Sequence, residues 1–75
     1  MADLQQVKTL LEEAIPEAQV SVEDLGGGDH ISVTVVSEQF DGKSLIDQHQ
    51  MVNKPLLHLL ADQTIHALQI KTKTA

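Results

Sequence analysis

Four histidines, His30, His49, His58 and His66, are the side chains of this sequence best suited to hold a transition metal or to carry a proton near neutral pH. The sequence contains no cysteine, which removes disulfides, thiolate nucleophiles and cysteine metal ligands supplied by this chain. The four histidines sit in different settings. His30 follows "GGGD", His66 opens "HALQIKT", His49 falls on the apolar stripe of a helical segment, and His58 lies among leucines in "PLLHLL". Packing or partial burial accounts for His49, and His58 is expected to point to solvent. A histidine near a strand end is commonly just satisfied or solvated, but His30 and His66 remain the candidates for chemistry. Two imidazoles do not complete a tetrahedral site. Asp29 could add a carboxylate and give a weak zinc site; more naturally, two histidines leave coordination positions for ligands from elsewhere.

Other chemistries find less support. Ser21, Ser32, Ser37 and Ser44 occupy strand or cap settings without a nucleophile elbow. The carboxylates are scattered, so no paired acid and base of the glycosidase kind is visible. A chain of 75 residues also leaves little room for a deep substrate pocket. The expectation is a protein that is not an enzyme.

The elements that must position the histidines follow from the spacing of apolar residues. Leu4, Val7, Leu10, Leu11, Ala14 and Ile15 recur at helical spacing. Asp3 stands in capping position with Gln6 three residues on, and Pro16 ends the run. "AQVSVED" and "HISVTVVS" alternate apolar with polar residues around "LGGGD", the pattern of a β-hairpin. The glycines do not read as a phosphate cradle, because they lie between two strands and lack the Lys-Ser/Thr and following helix of a P-loop. Beyond the turn "QFDGKS", Leu45, Ile46, His49, Val52, Leu56, Leu59 and Leu60 fall near one face of a helical segment. Pro55 interrupts it, so two short helices are expected, at about 44–53 and 55–61. "TIHALQIK" reads as the last strand, and only the tail "TKTA" looks frayed.

Helix, strand, strand, helix, helix, strand gives an α+β two-layer domain: three strands with one face covered by helices. The passage from the second strand to the third runs through helices, so those strands can be parallel neighbours. Their starts then lie at the same end of the sheet. His30 and His66 would share one corner although 36 positions separate them.

Charge narrows the choice of partner. The net charge of −6 comes from eleven acids against five lysines. Asp3, Glu12, Glu13, Glu17, Glu23, Asp24 and Asp29 crowd the first thirty residues with Lys8 alone for balance. Lys43, Lys54, Lys71 and Lys73 supply all the positive charge of the remainder, and there is no arginine. Nucleic-acid affinity comes largely from Lys and Arg displacing counterions, and Phe40 is the only aromatic residue for stacking on bases. Both facts argue against gripping a phosphate backbone. No apolar run approaches the ~20 residues of a membrane span, and the opening "MADLQQVKTL" lacks a signal-peptide pattern. A single soluble cytoplasmic domain over residues 1–75 is expected.

Residues 40–72, "FDGKSLIDQHQMVNKPLLHLLADQTIHALQIKT", resemble the signature half of the BolA family, most closely its short IbaG-like members. The most specific segments are "FDGKS", "HQMV" and above all "IHALQIKT", and the preceding helix and glycine-rich hairpin stand in the expected order. The resemblance implies an α-β-β-α-α-β fold similar to the class II KH domain, with a three-stranded mixed sheet. It further implies partnership with monothiol glutaredoxins of the CGFS type. In such a heterodimer a 2Fe–2S cluster is bridged by the glutaredoxin cysteine, glutathione and histidine from the BolA-like chain. By the resemblance, the family's hallmark histidine in the "HAL" segment is His66. A second ligand comes from the loop between the first two strands, where "GGGDH" puts His30. Gly26, Gly27, Gly28 and Asp29 would then belong to the docking surface. The implied role is in iron–sulfur cluster trafficking and iron homeostasis. Histidine in place of thiolate raises a cluster's potential and makes its charge and lability depend on pH.

The sequence also departs from the family pattern. Gln48, Gln50 and Asn53 surround His49 where arginine and an aromatic residue are common, and "NKPL" stands where a KH domain carries GxxG. Some members are described as transcriptional regulators, so the alternative reading is a nucleic-acid-binding surface around Lys43, Lys54, Lys71 and Lys73. Steep salt dependence would identify it.

Overall fold

The first helix begins where an aspartate can hold its free amides. In the computed structural model, which describes residues 3–75, the Asp3 carboxylate accepts from the N–H groups of Gln5 and Gln6 and opens α1 (Leu4–Ala14). The chain continues through β1 (Gln19–Gly26), β2 (His30–Val36), α2 (Leu45–Asn53), α3 (Leu57–Ala61) and β3 (Ala67–Lys73). Ser44 caps α2, its hydroxyl accepting from Asp47 N–H at 3.1 Å; a cap of this kind is worth about 1 kcal/mol. Pro55 lies in a 3-10 turn, Lys54–Leu56, that joins α2 to α3. A second 3-10 turn, Glu38–Phe40, follows β2.

The sheet is three-stranded and mixed, in the order β1-β2-β3. β1 pairs antiparallel with β2, and β3 pairs parallel with it. Val20 and Val22 oppose Val35 and Val33, while Leu68 and Ile70 lie beside Ile31 and Val33. Opposed residues share a face, so these side chains form one apolar floor. The helices cover it: Val7, Leu11 and Ile15 from the first helix and its end, Val52, Leu56 and Leu59 from the later ones, with Phe40 and Ile65, are all buried. The other face carries exposed Ser21, Glu23, Gln69 and Lys71. The two-layer α+β arrangement expected from the pattern is the one observed.

Three details differ from the sequence expectation. Leu45 and Ile46, assigned to the apolar stripe, are 64% and 71% exposed. The first turn of α2 stands beside the edge strand β3, beyond which no further strand among the described residues covers it. β3 starts one residue after His66, so this histidine precedes the strand. The tail is also tied down: Ser37 N–H donates to Lys73 C=O at 3.0 Å, and Ala75 N–H donates to Ser37 C=O at 3.3 Å.

Phe40, the only Phe, Tyr or Trp of the sequence, is fully buried among aliphatic side chains. Phe40→Ala should therefore cost about 3–5 kcal/mol, a large share of what a domain of this size has. Urea unfolding monitored by circular dichroism measures it. A loss below about 1 kcal/mol would show that the core closes over the vacancy.

Candidate metal-binding corner

Parallel pairing of β2 with β3 decides where the histidines lie. His30, the first residue of β2, is the register partner of Ala67, the first residue of β3. His66, immediately before Ala67, comes beside it. The two imidazole rings stack with centroids 5.4 Å apart and planes 20° from parallel. Both residues are exposed.

The backbone fixes this juxtaposition. The Asp29 carbonyl accepts from His66 N–H at 2.8 Å and from Ala67 N–H at 3.2 Å, which joins the residue before His30 to both residues at the entry of β3. The side-chain approach of Asp29 Oδ1 to His30 Nε2, at 3.9 Å between half-exposed groups, adds little, since solvent-exposed pairs contribute about 0–1 kcal/mol. Ring stacking adds about 0.5–1.5 kcal/mol at most.

The loop that delivers His30 depends on Asp24. Its Oδ1 accepts from Gly26 N–H at 2.8 Å and Gly28 N–H at 3.3 Å, where the register between β1 and β2 slips. Gly26 has φ +134°, which side-chain-bearing residues rarely adopt, and a Cβ on Gly27 would stand 3.2 Å from Asp29 Oδ1. The loop that delivers His66 has its own clamp. Asp62 Oδ1 accepts from Thr64 N–H at 2.9 Å, and Ile65 N–H donates to Leu59 C=O at 3.0 Å. Hydrogen bonds from Thr64 hold the exposed Asp62 carboxyl below its usual value, with His58 adding a smaller pull. The turn is consequently firmest above the ordinary carboxylate range and loosens as the pH falls through it. Neither clamp was singled out from the sequence, although an aspartate two residues before a glycine or threonine in a turn is the signal for it.

As a metal site the corner is partial. No three His, Cys, Asp or Glu side chains converge on one point among the described residues, so Asp29 does not complete a three-ligand zinc site with the histidines. Two exposed imidazoles with open positions around them can ligate one metal if the rings swing out of the stack and the remaining ligands come from another molecule. His49 is half-buried on α2 and His58 is exposed on α3, as expected. The four lysines do not gather. Lys43 and Lys54 stand at opposite ends of α2, about 16 Å apart at 1.5 Å per residue, and Lys71 and Lys73 project from the open face of β3.

Residues 6–75 match the family described as BolA-like protein. The chain is 38% identical over 69 residues to the acid stress protein IbaG of Escherichia coli K12, covering 92% of this chain and 80% of that one. Among solved structures, BolA1 from Arabidopsis thaliana superimposes with a TM-score of 0.84 at 26% identity, covering 99% of this chain and 94% of that one. Yeast Fra2 does so with a TM-score of 0.77 at 34% identity, covering 97% and 80%. No helix among the described residues is long and apolar enough to cross a membrane.

Removing the loop clamp should disturb the corner while leaving the sheet intact. Asp24→Ala is expected to cost about 1 kcal/mol per lost hydrogen bond, to speed amide exchange at Gly26 and Gly28, and to weaken the nuclear Overhauser effects between the His30 and His66 rings. Unchanged ring contacts in the variant would mean that the Asp24 clamp is not needed to hold the rings together.

Proposed function

The chain belongs to the BolA-like family, and from that premise we propose that it is a non-enzymatic partner of a monothiol glutaredoxin, co-ligating a 2Fe–2S cluster as shared cargo. The observation that carries this reading is the stacked pair His30 and His66, 5.4 Å apart at the exposed end of the sheet. The donor set suits the task. The chain offers two nitrogen ligands and no thiolate, so it holds no complete cluster site and would add to one whose sulfur ligands come from the glutaredoxin cysteine and glutathione. The chain's own residues have three jobs in such a complex. His66 and His30 turn their ring nitrogens towards one iron. The Asp29 carbonyl keeps the two backbone anchors together while the rings reorient. Gly26, Gly27, Gly28 and Asp29 form the neighbouring loop, where the exposed Gly26 and Gly27 carry no Cβ and leave room for close approach of a partner backbone.

Imidazole is a neutral ligand, so histidine ligation leaves the cluster less negatively charged than thiolate ligation and raises its potential. Imidazole can also leave the metal by taking a proton, which suits transfer to an acceptor over storage. The open lysine and glutamate face of the sheet takes no part in this reading.

The test is anaerobic reconstitution with a CGFS glutaredoxin, glutathione, iron and sulfide, followed by visible absorption and circular dichroism. The native chain should convert the glutaredoxin homodimer spectrum into a distinct heterodimer spectrum. His66→Ala should abolish that conversion, and His30→Ala should alter the spectrum and weaken retention of the cluster. An unchanged homodimer spectrum with the native chain would refute the proposal. Both substitutions sit at exposed positions and should leave the fold intact, which far-ultraviolet circular dichroism checks.

A further inference from the structure

A second surface, away from the histidine corner, has the elements of a strand-recognition site. Among the described residues β3 is an edge strand, hydrogen-bonded on one side only to β2. The parity of its backbone can be read from its two ends. Ala67 N–H donates to the Asp29 carbonyl, and the Lys73 carbonyl accepts from Ser37 N–H, so residues 67, 69, 71 and 73 turn their backbone groups inward. Backbone direction alternates along a strand. Leu68, Ile70 and Thr72 therefore turn their N–H and C=O groups outward, to the open edge.

Alongside that edge runs a groove of about 300 Å³ lined by Leu45, Ile46, His49, Gln50, Asn53 and Ile70. Leu45 and Ile46 are the two most exposed large apolar residues among those described, at 64% and 71%. The sheet ends beside them at β3, which leaves both open to a partner. On the opposite face of β3, Lys71 and Lys73 project to solvent. A strand added to this edge would thus meet apolar surface with one set of alternate side chains and lysines with the other.

This combination selects the occupant. A second copy of the chain pairing β3 to β3 would bring Lys71 and Lys73 against like charges, the usual defence of an edge strand. A nucleic acid would find an apolar groove in which His49 supplies the one ring, on a chain with no arginine. We propose that the β3 edge and the α2 groove bind an extended, acidic segment of a partner protein, about five to seven residues long, in which apolar and acidic side chains alternate. Main-chain bonds to Leu68, Ile70 and Thr72 supply affinity, the Leu45, Ile46 and Ile70 groove takes the apolar side chains, and Lys71 and Lys73 meet the acids. The site uses neither His30 nor His66, so it stands or falls separately from cluster ligation.

The probe is the blocked peptide Glu-Val-Glu-Ile-Glu-Val-Glu, titrated to millimolar concentration into the nitrogen-15-labelled full chain and followed by amide chemical shifts. A peptide of the same composition with its acids grouped at one end, and a seven-nucleotide oligothymidine, serve as comparisons. The alternating peptide should shift the amides of Leu68, Ile70 and Thr72 and those of α2, and should bind at least tenfold more tightly than the grouped one. Ile46→Asp and Lys71→Glu should each weaken it at least fivefold; both alter exposed side chains and leave the core untouched. No shift at millimolar peptide, equal binding of the two peptides, or shifts elsewhere would overturn the proposal. So would tighter binding of the oligonucleotide at the same amides.

Discussion

The parallel pairing of β2 with β3 sets the course of the chain and the place of its histidines. A parallel neighbour requires a crossover, and the chain spends residues 37–66, with α2 and α3, on making it. The crossover supplies half of the helical layer over the apolar floor. Because the pairing is parallel, it also returns the chain to the end of the sheet where β2 began. One backbone group, the Asp29 carbonyl, accepts from both His66 and Ala67 and so fixes the meeting point of two segments far apart in sequence. An antiparallel third strand with the same residues would leave His66 at the far end of the sheet from His30, and no corner would exist.

Much of this was legible because the relevant signals are local. Asp3 and Ser44 sit before helical runs and do cap them. The alternation in β1 and β2 needs only neighbouring residues to be read, and the glycine run marks the turn between them. The nearness of His30 and His66 followed from element order on the condition that the second and third strands are parallel neighbours, which helices between them permit. What stayed hidden depends on what lies beyond an element. The period of α2 places Leu45 and Ile46 on its apolar side, yet period says nothing about whether a sheet extends beneath that side. Here the sheet ends at β3, and the first turn of α2 is left uncovered. Similarly, "TKTA" looks like a loose end until Ser37, more than thirty residues earlier, takes its hydrogen bonds.

The molecule is asymmetric in charge and in chemistry. Its acids crowd the first helix, hairpin and glycine loop, while four of its five lysines flank α2 and line the outer half of β3. The histidine corner lies at the acidic loop, and the apolar groove lies along the lysine-bearing strand. Two surfaces of different character on one small domain suit an adaptor that engages a cluster-bearing partner at one place and another protein at a second. Gln48 braces the second surface. Its side-chain amide nitrogen donates to the carbonyls of Lys43 and Phe40, and its oxygen accepts from Thr72 at 2.6 Å. It thereby locks α2 to β3 and holds the groove walls at fixed separation.

The central claim is that both imidazoles of the corner become ligands of one iron. Pulsed electron paramagnetic resonance on the reduced heterodimer cluster, prepared with the histidines of this chain alone labelled with nitrogen-15, tests it most directly. Ligation by both rings gives strong nitrogen couplings from two imidazoles, both changing with the isotope, and one of the two is lost in His30→Ala. A reduced cluster with no isotope-sensitive nitrogen coupling would contradict it, leaving the stacked pair as a feature of the sheet end without a part in holding iron.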